Sequence, residues 1–72
     1  MNPALLKAEM VKHGDTQEIL ARAMGISLSR LNAKINSNDN AEFRQSEILF
    51  IKDRYSLSAT DVNAIFFDFK VS

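Results

Sequence analysis

The sequence predicts an all-α fold, a compact bundle of five short helices around one small core. Three observations predict it. Apolar residues recur three and four positions apart, the spacing that lines one side of a helix. The periodic stretches are punctuated by residues that start helices (Asn, Ser, Asp, Pro) and by glycines that stop them. A length of 72 residues with a 46% hydrophobic share is enough for one core and leaves no room for a second. Residues 1–72 therefore read as a single domain, with no internal repeat and no linker.

Each element has its own justification. Asn2 is an N-cap ahead of Pro3, whose fixed φ suits the first helical position. A helix from Pro3 to about Lys12 would bury Leu6 and Met10, with Leu5 or Val11 beside them, and His13-Gly14 would end it. His13, the one histidine, suits a capping place at that end, where the helix dipole favours a cation. Asp15 to Glu18 has capping-box spacing and opens the second helix. Gly25 supplies the positive φ of a tight turn, and Ser27 caps a third helix running to about Ile35. Asn36 to Asn40 is a polar loop with no core residue. The fourth helix, about Arg44 to Arg54, places Ile48, Ile51 and Tyr55 on one face, with the Tyr55 ring buried and its hydroxyl in water. Ser58 and Asp61 have the spacing that opens a fifth helix, which would bury Val62, Ile65 and Phe66.

Residues 16–36 carry the densest set of constraints and read as a helix-turn-helix. Ala21 is small where the third helix crosses close above the second. Leu20, Met24, Ile26 and Leu31 are the apolar pegs between them. In such a unit the second of the two helices is offered to the DNA major groove. With Leu31 inward, a rotation of about 100° per residue points Ser29, Ala33 and Asn36 outward. Asn32 then lies on one flank, and Arg30 and Lys34 stack on the other. Together with Ser27 and Leu28 at the helix start, these residues form the candidate contact surface for DNA or for a protein. Arg reads guanine and Asn reads adenine, so Arg30, Asn32 and Asn36 are the base readers available, a thin set. Leu28 and Ala33 lose little on desolvation, which suits a protein partner.

Composition bears on the same question. The formal net charge is zero, whereas proteins that live on DNA usually carry surplus Lys and Arg against the phosphates. Arg22, Arg30 and Lys34 outnumber Glu18 within residues 17–36, a local surplus of two, and the remaining segments are neutral or acidic. With no cysteine there is no disulfide or thiolate metal site, which fits a reducing cytoplasm. No apolar run reaches the roughly 20 residues of a membrane span, and the start lacks signal-peptide patterning. No spacing of nucleophiles, acids or metal ligands suggests an enzyme, a cofactor, a metal site or a small-molecule substrate.

The segments TQEILARAMGIS and LNAKIN, followed after a spacer by FRQSEILFIKDRYSLSATDVNAIFF, resemble small regulators of temperate-phage genetic switches. More narrowly, the chain resembles the modulator-of-repression antirepressors of lactococcal phages, over nearly its whole length and including the closing Ile65-Phe66-Phe67. The resemblance implies a lambda-repressor-like, Cro-like fold. It also implies an antirepressor that binds the lysogenic repressor in the bacterial cytoplasm and opposes its hold on operator DNA, favouring lytic growth. Gln17 would contact a phosphate if DNA is bound, and Glu18, Arg22, Arg30 and Lys34 would supply charge pairing to the repressor. The alternative is a Cro-like dimer that represses operators directly.

Two apolar features stay open at this level. Ile48 to Ile51 is a continuous apolar run, so at least one residue faces outward, and Phe50 is the best contact candidate. Phe66, Phe67 and Phe69 either pack within the chain, form a partner patch (Phe50, Phe67 and Phe69), or extend as a short strand through Phe67, Phe69 and Val71.

Overall fold

Helix starts follow the cap residues. A computed structural model describes residues 1–36 and 41–67. Helix α1 (Pro3–Lys12) begins behind Asn2, whose Oδ1 accepts the Leu5 N–H at 3.2 Å. Helix α3 (Leu28–Asn36) begins behind Ser27, whose Oγ accepts the Arg30 N–H at 3.1 Å. Helix α5 (Ala59–Phe66) has a complete capping box, with Ser58 Oγ accepting from Asp61 N–H and Asp61 Oδ2 accepting from Ser58 N–H. Helix α4 (Gln45–Arg54) has half of one. Glu47 accepts the Arg44 N–H at 2.7 Å, and Arg44 has no side-chain acceptor to return the bond.

Helix α2 (Gln17–Met24) corrects one expectation. Its cap is Thr16, whose Oγ1 accepts the Ile19 N–H at 3.1 Å, and not Asp15. Either residue type can cap; Asp15 is drawn away by partners at the far end of α4.

Three helices end alike. Gly14 (φ 73°), Gly25 (φ 74°) and Ser56 (φ 52°) adopt left-handed backbone just beyond α1, α2 and α4. In each case this residue and the next donate backward to two late carbonyls, for α2 from Gly25 to Arg22 at 3.1 Å and from Ile26 to Ala21 at 3.0 Å. This paired closure satisfies carbonyls that the helix leaves open.

The apolar stripes meet in one cluster. Leu6, Leu20, Leu31, Ile35 and Ile51 are fully enclosed, with Met10, Ala21, Ile48, Tyr55, Leu57, Val62, Ile65 and Phe66 around them. Leu5 and Val11 do not join it and stay exposed. Met24, Ile26 and Phe43 pack against its edge, Phe43 meeting Phe66 edge to face at 5.5 Å. Helix α2 lies against α3, and α5 against both α1 and α4. The Asn2 N–H donates to the Ile65 carbonyl at 2.6 Å, tying the start of α1 to α5. The radius of gyration, 11.6 Å, agrees with the ~11 Å of a folded chain of this length. The described residues are all-helical, with no strand and no helix long and apolar enough to cross a membrane.

Candidate functional site

The α2–turn–α3 pair carries most of the candidate contact residues. Gly25 and the Ser27 cap set the angle between the helices, and Leu20, Ala21 and Leu31 fill the space between them. Outside that seam a row of carboxamides connects the two helices. Asn36 Nδ2 donates to Asn32 Oδ1 at 2.9 Å, and Asn32 Nδ2 donates to Gln17 Oε1 at 3.1 Å. Gln17, Asn32 and Asn36 thus act as one polar ladder, its members exposed apart from a half-buried Gln17. Ser27, Leu28, Ser29 and Arg30 are exposed at the start of α3, Leu28 to 47%, while Ala33 is half-buried.

Lys34 is the main correction. It is not on the outer flank beside Arg30; it is buried, with 4% of its side chain exposed. Its Nζ donates to Glu47 Oε1 at 2.9 Å and to the Glu42 carbonyl at 3.0 Å. The physical reason lies in the helical wheel. Lys34 is three residues from Leu31, only about 60° from the inward direction at about 100° per residue. Leu31, Lys34 and Ile35 together make the buried arc of α3. Position 34 therefore belongs to the α3–α4 junction and is lost as a contact residue.

The accessible charge of the pair shrinks accordingly. Glu18 accepts from Arg22 at 3.3 Å in an exposed pair, a partnership weak enough to exchange with another anion. Arg30 has no ion-pair partner among the described residues.

Two acidic residues that sequence reasoning left out of the site hold the scaffold behind it. Burial pushes the Glu47 carboxyl up, but the Arg44 N–H and the Lys34 ammonium outweigh burial and hold it below its ordinary range. Asp15 accepts a two-pronged contact from Arg54, Nε to Oδ2 at 2.7 Å and a terminal nitrogen to Oδ1 at 3.0 Å. It also accepts the Tyr55 hydroxyl at 2.6 Å. The Arg54 guanidinium holds the Asp15 carboxyl below the usual carboxylate range against burial, with Tyr55 assisting. Burial and the Asp15 bond push the Tyr55 phenol up. The Tyr55 hydroxyl is therefore bonded within the protein rather than left in water. His13 closes α1, its Nδ1 2.9 Å from the Glu9 carbonyl, and its ring lies 4.8 Å from that of Tyr55.

The apolar candidates do not gather at the α2–α3 surface as a set. Phe50 is 37% exposed on α4, next to the more exposed Leu49. Phe66 is buried in the core, and Phe67 is exposed beyond the end of α5. Phe69 and Val71, and with them the strand reading, lie outside the described residues, as does the loop segment 37–40. Among the described residues no group of three or more His, Cys, Asp or Glu side chains is placed to hold a metal ion. Comparisons of the chain with protein-family models, with curated proteins and with solved structures found no match.

Proposed function

We propose that this chain is a small helix-turn-helix regulator of lambda-repressor-like fold, an antirepressor rather than an enzyme. It acts in the cytoplasm of a bacterial host on the repressor of a temperate-phage switch. The α2–turn–α3 pair is its helix-turn-helix, and α3 is the helix it offers to a partner. The observation that carries the reading is the character of that helix. With Lys34 buried, its outer surface holds a single cation, Arg30, with neutral amides and hydroxyls and an exposed Leu28, and the neighbouring Arg22 of α2 is shared with Glu18. A DNA-binding helix gains much of its affinity from phosphate neutralisation, and α3 itself has only Arg30 to neutralise with. A surface with one cation and an apolar residue suits a protein that covers it. Covering the repressor's DNA-contacting helix would exclude operator DNA by steric competition.

The Gln17–Asn32–Asn36 ladder favours a second reading. Carboxamides read adenine, and a Cro-like dimer could present this row to an operator. A gel shift separates the two. Operator DNA is first occupied by the cognate repressor and the chain is then titrated in. Release of free DNA is the expected result. A slower-moving complex, or a shift of operator DNA by the chain alone that falls steeply with salt, would replace the antirepressor reading with direct binding.

A further inference from the structure

Arg44 and Glu42 precede α4, outside the helix-turn-helix, yet they share one open groove with Ser27, Ser29, Arg30 and Ala33 at the start of α3. All three charged side chains are exposed, and none has an ion-pair partner among the described residues. Their backbone is nonetheless fixed. The Arg44 N–H is held by Glu47, the Glu42 carbonyl accepts from Lys34, and Lys34 and Glu47 hold each other. The groove thus presents two exposed cations and one exposed anion on an anchored frame, with the buried Lys34, already paired with Glu47, in its wall.

We infer that this groove is a charged contact surface for a protein partner that sets carboxylates against Arg30 and Arg44 and a cation against Glu42. The inference rests on the antirepressor reading and extends its contact surface beyond α3. Mixed charge favours a protein over nucleic acid as the occupant. A phosphodiester backbone is uniformly negative, so Glu42 would repel it, whereas a protein surface can match both signs. Ala33 in the groove wall, and Leu28 exposed on the first turn of the same helix, supply the apolar contact a protein interface uses and a phosphate backbone does not.

The test is binding of the full chain to the DNA-binding domain of the cognate repressor, by calorimetry, and to a short operator duplex, by fluorescence anisotropy. Arg44→Ser removes the cation while installing a hydroxyl suited to capping α4, so a loss of binding cannot come from a weakened helix. Arg30→Gln and Glu42→Lys complete the set, and thermal melting reports folding of each. The expected result is repressor affinity about tenfold lower for Arg44→Ser and for Arg30→Gln, and also lower for Glu42→Lys, with no variant melting below the wild type. Tighter binding by Glu42→Lys, or an unchanged Arg44→Ser, while the wild-type chain still binds the repressor, would overturn the groove and leave the antirepressor reading standing. Wild-type chain that binds no repressor would overturn both. Duplex binding that Arg44→Ser abolishes, with repressor affinity intact, would reassign the groove to DNA.

Discussion

The two ends of α4 are held by ion pairs of opposite construction. At its start the buried member is the cation, Lys34 at 4% exposure against Glu47 at 16%. At its finish the buried member is the anion, Asp15 at 8% against Arg54 at 30%. An ammonium has three donors, and two of its bonds here go to one carboxylate and one carbonyl. A carboxylate can accept several donors, and Asp15 takes an arginine fork and a phenol. The difference teaches that the cost of breaking such a pair depends on which partner is left behind without water.

Glu47→Ala breaks the comparison most sharply, because it strands the Lys34 charge indoors. It is expected to cost about 3 kcal/mol in urea unfolding. Lys34→Met is expected to cost about 1 kcal/mol, since an apolar stem of similar length replaces the buried charge and Glu47 keeps the Arg44 N–H. Equal losses for the two would mean that the pair acts by attraction alone and that burial is irrelevant.

Asp15→Asn probes the other end and is expected to cost about 2 kcal/mol, because the arginine fork loses its charged acceptor. It also sharpens the comparison through pH. Asp15 and Glu47 both have folded pKa values below their unfolded values, about 3.9 for Asp and 4.3 for Glu. The unfolded chain therefore binds more protons in that region, so their stabilisation is full above about pH 5 and is lost as pH falls through the lowered folded values. Asp15→Asn and Glu47→Gln should each flatten the wild-type decline in stability below about pH 4. An acid profile identical to wild type would remove Asp15 from that role. Tyr55 has the opposite sign. Its raised pKa gives stability that is full below about pH 10 and lost as pH rises through the folded value, a loss that Tyr55→Phe should abolish.

The helix ends give the smaller effects. Gly25→Ala is expected to cost about 1 kcal/mol from φ alone, since an added Cβ meets nothing within 4 Å. Ser56→Gly should gain up to about 1 kcal/mol, because α4 closes on a residue that tolerates the left-handed region less well than glycine. A melting temperature lower for Ser56→Gly would mean that the serine holds the turn by a means other than backbone conformation.

What the sequence made legible was local. Asn2, Ser27 and Ser58 cap the helices that the cap residues announced, and Gly25 turns where a positive φ was needed. The inward sets Leu6 and Met10, Ile48 and Ile51, and Val62, Ile65 and Phe66 follow from periodicity. The misses are long-range. Asp15 and Thr16 both have capping chemistry, and the choice between them is made by Arg54 and Tyr55, some forty positions away. Lys34 sits near the edge of the apolar arc, where a charge reads as surface until a carboxylate is brought to it. The mixed groove joins Arg30 to Glu42 and Arg44 across the α3–α4 connection, so no single stretch of sequence announces it.

The bond from Asn2 to the Ile65 carbonyl has a consequence for how this chain comes off the ribosome. Helix α1 is made first, and α5, which covers its apolar stripe, is made some fifty residues later. Until Phe66 has left the exit tunnel, Leu6 and Met10 lack the cover that α5 provides. The growing chain must carry that stripe without its α5 cover until then. Closure of α1 against α5 is thus a late event, and a nascent chain halted before α5 would present that uncovered stripe to chaperones and proteases.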